Sequence, residues 1–484
     1  MKRIAMLAVT LALGLPGLLR AQEAPTGFDA IRIELDAAWK RNDQVAIEQG
    51  LRQAFEVDAR RACDFCFGVI VNGSAAIRPV GAAVLARYAD APSLAATARA
   101  LNRVDYRDER RLFVRMLGRH AKVDGVYELA ADFLEDQDMM VRASAITALA
   151  STGKPEAVGL ILRALDIPPA YSASYGGRER DIVNMAAYGA VHALTDLEPQ
   201  RSSEVIDWWK SLNGAPPPAP TAVRPTPDTL EAFVREMKPV EGRWRGRPFF
   251  ATPSFHAQVL VRGMEPFPTT GSPDWRSFAL LAEEGMAYAH DMFEPITGPV
   301  ILPPVRLLIC DDQNYVSNAG TTFFAGDSTG NQVVIRAGTM SMMRPVMAHE
   351  CVHILHTALF REQPRWMLEG LAMSLVGSVN GSSWTSARVR ELGIATLVER
   401  GVFSDILNWV STGSSDAREG ERYAASYLVV DTLRFGGFAA PDTRLAFLMG
   451  RLARHEAPRQ AVEAVYGVST GELDRLAREW VMGR

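Results

Sequence analysis

The chain has 484 residues, of which 48% are hydrophobic, so we expect two or three domains with well-packed cores. The formal net charge is −4 and the isoelectric point lies near 6.1. This mild acidity argues against a nucleic-acid partner and against an anionic membrane surface. No apolar stretch after the N-terminal one is long enough to span a bilayer, so the sequence predicts no stable membrane insertion.

The N-terminus has the pattern of a secretory signal peptide. Lys2 and Arg3 precede an apolar run over residues 4–15, and a short segment then ends at Ala21. This pattern predicts cleavage after Ala21 and export to the periplasm or the medium. A short membrane anchor is the alternative, although the apolar segment is short and is broken by Gly14, Pro16 and Gly17.

Residues 22–212 show helical periodicity almost throughout. The clearest unit is 138–165, in which a Gly-Lys-Pro break at 153–155 separates two amphipathic helices. A similar helix–break–helix lies around 112–133, and a further helix is predicted over 181–194. This pattern resembles HEAT repeats, whose stacked helix pairs bury a continuous core and offer a surface to a protein partner. An ordinary helical bundle is the alternative.

Cys63 and Cys66 form a Cys-x-x-Cys pattern inside a predicted helix. The sequence leaves three alternatives open for this pair, namely buried free thiols, a local disulfide, and a metal or redox role. Cys310 and Cys351 are predicted to be small core residues.

Residues 213–228 are predicted to be a linker. Prolines at six positions favour extended polyproline II and prevent a helix, which is typical of a semi-rigid spacer. A long ordered loop within one domain is the alternative. On this interpretation few contacts cross the spacer, and residues 229–484 fold on their own.

The periodicity changes after the linker. Residues 256–261, 305–310 and 332–336 have the short apolar runs of strands, and helices are predicted at 275–292 and over most of the chain after 385. We expect an α+β domain here. Ala325, Gly326 and the strand at 332–336 are candidates for an exposed edge that pairs with an extended peptide, with an internal strand as the alternative.

The most informative segment is His349-Glu350-Cys351-Val352-His353. Residues four apart lie one turn apart on the same face of a helix, so both imidazoles can reach one metal ion. Glu350 is offset by one position, which is where a base that takes a proton from water must lie. A buried helix with satisfied polar groups is the alternative.

A third ligand is predicted sixteen residues after His353, at Glu369. Pro364 can start a second helix that turns back towards the first, and Glu369 would then face the imidazoles. Two histidines and one carboxylate with a fourth position open to water form a catalytic zinc site, because structural sites are normally closed by four protein ligands. We therefore expect one Zn²⁺ ion.

His-Glu-x-x-His followed by Pro-x-Trp-x-x-Glu-Gly-x-Ala resembles the gluzincin metallopeptidases, and most closely the peptidase MA-like family. The resemblance covers roughly residues 255–484. It implies His349, His353 and Glu369 as zinc ligands and Glu350 as general base. It further implies an oxyanion-stabilising tyrosine at the start of a later helix. Tyr423 matches that position better than Tyr427, with a structural role as the alternative for both.

The expected fold class is an all-α HEAT-like repeat followed by an α+β zincin-like metallopeptidase domain. The expected activity is hydrolysis of peptide bonds in a peptide or protein substrate, by a zinc-activated water with Glu350 as base. Two alternatives remain. One is a protein-binding helical module with a vestigial zincin domain, and the other is a zinc hydrolase that acts on a non-peptide substrate.

Overall fold

A computed structural model describes residues 27–165, 173–195, 202–212, 275–301, 340–360, 363–376, 404–408 and 419–483, with a few single positions besides. It also describes the backbone of strands between residues 240 and 336. The predicted signal peptide, most of the predicted linker and most of the helix predicted at 385–400 lie outside these residues. Among the described helices none is long and apolar enough to cross a bilayer.

The first part of the chain is an array of helices in which most helices pack on the next helix along the chain and several also pack on the next but one. These helices are α1 (Phe28–Lys40), α2 (Gln44–Val57), α3 (Ala59–Asn72), α4 (Arg78–Tyr88), α5 (Ala91–Ala100), α6 (Arg107–Met116), α7 (Val126–Ala131), α8 (Met139–Ser151), α9 (Ala157–Leu165), α10 (Ala173–Thr195) and α11 (Ser202–Ser211). The predicted break at 153–155 falls between α8 and α9.

Local sequence explains where several of these helices begin. Aspartates at four N-caps accept a hydrogen bond from a backbone N–H of the first turn, which satisfies a group that the helix leaves unpaired. The four are Asp43, Asp58, Asp90 and Asp138. At the end of the array Trp209 covers α9, where a Cβ on Gly159 would come within 2.8 Å of the indole ring.

The backbone of six strands forms one sheet in the order β1-β2-β3-β4-β6-β5. The strands are β1 (Val240–Trp244), β2 (Arg247–Thr252), β3 (Ala257–Arg262), β4 (Val305–Cys310), β5 (Thr321–Phe324) and β6 (Asn331–Arg336). Strand β6 pairs with β4 on one side and with β5 on the other. Residues 332–336 are therefore internal, and the candidate peptide-binding edge at this strand is wrong.

The remaining helices carry the predicted site and the C-terminus. They are α12 (Trp275–Thr297), α13 (Met340–Phe360), α14 (Arg365–Val376), α15 (Glu419–Phe435), α16 (Pro441–Ala453), α17 (Pro458–Tyr466) and α18 (Thr470–Gly483). Helix α13 contains the His-Glu-x-x-His motif and packs against both α12 and α14, while α14 packs along α15.

Helix α16 packs against helices that precede the predicted linker and against helices that follow it. It contacts α4 and α6 of the helical array, and also α12, α13 and α15. Arg444 of α16 is fully buried and donates hydrogen bonds to the carbonyls of Ala76 and Val465 and to Oε1 of Gln44. Arg111 of α6 donates at 2.7 Å to the carbonyl of Leu359, at the end of α13.

The predicted fold class, a HEAT-like repeat followed by a separate α+β zincin-like domain, is wrong. Apart from the six strands between residues 240 and 336, the regular structure that is described is helical, and buried residues of α1 to α11 and of α12 to α18 belong to one continuous hydrophobic core. The expectation that few contacts cross the linker is wrong for the same reason, since α16 buries its surface against α4 and α6. The boundaries at 212 and 229 stay predictions.

Cys63 and Cys66 are free thiols on α3. Cys66 is fully buried and Cys63 partly so, and burial raises the pKa of both thiols. The thiols are therefore held in their neutral form, which favours the structural alternative over a metal or redox role.

Candidate metal centre

Apolar packing holds helix α13 closely against its neighbours. Gly285 of α12 allows the close approach, because a Cβ there would lie 3.0 Å from Cγ of Met347 and 3.1 Å from Sγ of Cys351. Cys351 thus faces α12, and Val352 and Ile354 are fully buried. This packing fixes the rotation of α13 about its axis.

The two motif histidines lie together at one face of α13, as the four-residue spacing predicts. Their ring centroids are 4.6 Å apart with an interplanar angle of 87°. Nε2 of His353 lies 3.0 Å from Nε2 of His349. The two Nε2 atoms therefore point at a common position rather than at separate partners.

Glu369 reaches the same position from α14. This helix begins directly after Pro364, and the chain between α13 and α14 reverses direction so that the two helices pack together. Gly370 lets α14 lie against α15, since a Cβ there would be 2.4 Å from the carbonyl oxygen of Ser426. Oε2 of Glu369 lies 3.3 Å from Nε2 of His349 and 3.4 Å from Nε2 of His353.

The three donor atoms are spaced closely enough to bind one metal ion, and their spacing is compatible with zinc. Tetrahedral zinc with bond lengths of about 2.0–2.1 Å separates its ligand atoms by about 3.3–3.4 Å. The observed sides of the triangle are 3.0, 3.3 and 3.4 Å. Oε2 of Glu369 is buried and accepts no hydrogen bond of good geometry, so a cation between the imidazoles would satisfy it. These residues fit a zinc ion, and the group formed by His349, His353 and Glu369 could hold a metal.

Charge within the cluster supports the same interpretation. Burial would raise the pKa of Glu369, but His353 and His349 beside it hold that pKa well below its ordinary value. Burial would lower the pKa of His353, yet the carboxylates of Glu369 and Glu350 outweigh burial and raise it. The centre therefore carries negative charge that attracts a proton or a metal cation.

Glu350 lies beside the cluster and outside the ligand group. Its side chain is 4% exposed, and its charge reaches both His353 and Cys351. A carboxylate close to the ligands but not among them is compatible with the predicted general base.

Tyr423 is connected to the cluster through Arg365. Nη2 of Arg365 donates a hydrogen bond of 3.0 Å to the hydroxyl of Tyr423, and Nε of Arg365 lies 3.0 Å from Oε1 of Glu369. Tyr427 lies one turn further along α15 and is 7% exposed. Tyr423 is therefore the tyrosine that Arg365 links to Glu369 of the candidate metal centre.

The sequence interpretation missed Arg365 and the burial of His356. Arg365 could have been identified from the sequence, because it lies four residues before a predicted carboxylate ligand and such residues share a helix face. His356 is fully buried beside Phe293 and Phe360. Burial, with His353 nearby, lowers the pKa of His356 to about 3, so its imidazole is neutral.

Comparison with protein-family models, with curated proteins and with solved structures finds no match to this chain.

Proposed function

We propose that this protein is a zinc-dependent metallopeptidase of the gluzincin type, similar to the peptidase MA-like family. The observation that carries the proposal is the triangle of donor atoms from His349, His353 and Glu369, with a buried Oε2 that has no hydrogen-bond donor of good geometry. Three protein ligands rather than four are typical of a catalytic site.

The chain's own residues divide the chemistry among them. A zinc ion held by the three ligands would polarise a substrate carbonyl and acidify water. Glu350 takes a proton from the attacking water and delivers it to the leaving amine. Tyr423 donates a hydrogen bond to the oxyanion that develops on the carbonyl. The packing of α13 against α12 keeps the histidines and Glu350 on a rigid support.

An exported location after cleavage near Ala21, a protein partner on the helical array and a peptide or protein substrate are parts of the same proposal. The mild net charge of the chain agrees with a partner that is not a nucleic acid.

The test combines metal analysis with a peptide library. Purified wild-type protein should contain about one zinc per chain and should cleave library peptides. Glu350→Gln should keep the metal and lose turnover by several orders of magnitude, about 10³-fold or more, because the amide has the same size but accepts no proton. Glu369→Ala should instead lose zinc during dialysis against a mild chelator, because one of three protein ligands is gone.

Glu284→Gln is the matched control. Glu284 is a partly exposed carboxylate of α12 that pairs with Arg344, so this variant should keep both zinc and turnover. Full activity in Glu350→Gln would sink the mechanism. Stoichiometric zinc with no cleavage of any peptide would favour the two alternatives, a non-peptide hydrolase or a binding module.

A further inference from the structure

Arg365, the first residue of α14, contacts a predicted metal ligand and the predicted oxyanion donor at once. Its Nε lies 3.0 Å from Oε1 of Glu369, and its Nη2 donates at 3.0 Å to the hydroxyl of Tyr423. Glu369 follows one turn later on the same helix, whereas Tyr423 belongs to α15. One guanidinium thus connects residues of two helices.

On the carboxylate side, Arg365 separates the roles of the two oxygens of Glu369. Oε1 pairs with the guanidinium, and Oε2 faces the two imidazoles at 3.3 and 3.4 Å. This ion pair opposes rotation of the carboxylate about its Cγ–Cδ bond, because rotation moves Oε1 away from the guanidinium. Arg365 therefore fixes the oxygen that is directed at the metal position, as groups beside metal ligands commonly do.

On the tyrosine side, Arg365 determines the direction in which the O–H bond of Tyr423 points. A guanidinium carries only donors, so the oxygen of Tyr423 must accept the hydrogen bond from Nη2. The phenolic proton then points away from Arg365 and can be donated to another acceptor. An oxyanion donor needs this orientation before the substrate arrives, because prior orientation removes the cost of reorganisation.

We propose, on the basis of the function proposed above, that Arg365 is a positioning residue that sets the metal-binding carboxylate of Glu369 and the donor hydroxyl of Tyr423 together. Metal affinity and oxyanion stabilisation then depend on the same side chain. A lysine does not replace it, because an ammonium is a point charge without the planar fork that spans both partners.

The first measurement is metal affinity, which needs no turnover. Titration with Zn²⁺ alone should show an affinity about 10–100-fold weaker for Arg365→Gln than for wild type. The visible absorption bands of the Co²⁺-loaded protein should shift in this variant, because the position of Glu369 changes. Arg344→Gln is the matched control: Arg344 is an exposed arginine of α13 that pairs with Glu284, and its loss should change neither readout.

The second measurement is a double-mutant cycle on turnover. At saturating Zn²⁺, Arg365→Gln should lower kcat about tenfold or more in the wild-type background but only about threefold or less in Tyr423→Phe, because in that background only the contact with Glu369 is left to lose. KM should stay within about twofold, since the binding of substrate does not require the donor. Arg365→Lys should not restore kcat.

The outcomes separate this inference from the proposed function. Wild-type protein that binds zinc and cleaves no peptide would remove the peptidase assignment, and the two metal readouts would still decide the role of Arg365. The proposal that Arg365 positions both Glu369 and Tyr423 would be overturned by either of two results. One is unchanged zinc affinity in Arg365→Gln, and the other is an equal effect of this substitution on kcat in the wild-type and Tyr423→Phe backgrounds.

Discussion

Asp108 of α6 and Arg454, at the end of α16, form a bidentate ion pair. Nη1 and Nη2 of Arg454 donate at 2.8 and 2.6 Å to the two carboxylate oxygens of Asp108. Burial alone would raise the pKa of Asp108, but the Arg454 guanidinium outweighs it and holds that pKa below its ordinary value. The pair therefore joins the helical array to the C-terminal helices through ionised groups.

Asp108→Asn should lower the free energy of unfolding by about 2–3 kcal/mol, because it removes a charged partner of a largely buried guanidinium. Chemical denaturation monitored by tryptophan fluorescence and circular dichroism measures this change. Both probes should report one shared unfolding transition, because helices α1 to α11 and α12 to α18 share a core. Arg475→Gln, at an exposed ion pair, should have no measurable effect. Two separate unfolding transitions, of which Asp108→Asn shifts only one, would contradict the finding that both sets of helices share one core.

Glu109→Gln should change how stability depends on pH. Burial, with Asp108 beside it, raises the pKa of Glu109 to about 7 in the folded protein. A raised folded pKa means that Glu109 contributes stability below its unfolded pKa, and that this contribution is lost as pH rises towards 7. Between pH 5 and pH 8 the free energy of unfolding of the variant should therefore rise by about 2.5 kcal/mol relative to that of wild type.

The measurement is the unfolding free energy of both proteins across this pH range. Glu472→Gln is the control, since Glu472 is exposed and its pKa is lowered by Arg475 rather than raised. Parallel pH profiles for wild type and Glu109→Gln would show that Glu109 does not titrate in this window.

Tyr423→Phe should reduce kcat about 10²–10³-fold, by analogy with the loss of other oxyanion donors. Zinc content should stay unchanged, because Tyr423 is not among the three ligands. Tyr427→Phe, one turn away on the same helix, should leave kcat within about threefold of wild type. Steady-state kinetics and metal analysis on the same preparations measure both quantities. An equal loss in the two variants would remove the assignment to Tyr423.

Gly370→Ala should destabilise the protein and weaken zinc binding together. The new Cβ would lie 2.4 Å from the carbonyl oxygen of Ser426, so α14 must move away from α15 and take Glu369 with it. Thermal denaturation and Zn²⁺ titration measure the two effects. Gly68→Ala is the matched control in the interior of α3, where no atom lies within 4 Å of the added Cβ. The free energy of unfolding of that variant should rise by about 0.5–1 kcal/mol, because alanine favours a helical backbone more than glycine does. A stable Gly370→Ala with wild-type zinc affinity would contradict the tight packing.

The predicted positions of the site residues could be read from the sequence because they depend on short spacings. His349 and His353 share a helix face whatever the rest of the fold does. Pro364 before Glu369 marks a helix start, and α14 begins at the next residue. The identity of the metal, the substrate and the role of Glu350 stay predictions.

The expectation that few contacts cross the linker was wrong for a physical reason. The proline-rich composition of 213–228 describes only the local backbone, whereas independence depends on the surfaces of the flanking segments. Amphipathic periodicity in residues 441–453 shows that α16 buries one face, but it does not show that α4 and α6 cover that face. The position of β6 inside the sheet likewise depends on pairing with β5, which no property of residues 332–336 encodes.

The sequence by itself therefore determined most of the helical segments and the shared face of His349 and His353, because these follow from spacings of a few residues. Only the tertiary structure decided that Arg365 joins Glu369 to Tyr423, and that Asp108 and Arg454 tie the ends of the chain into one core. These contacts connect residues far apart in the chain, and their geometry depends on how whole helices pack rather than on any local pattern.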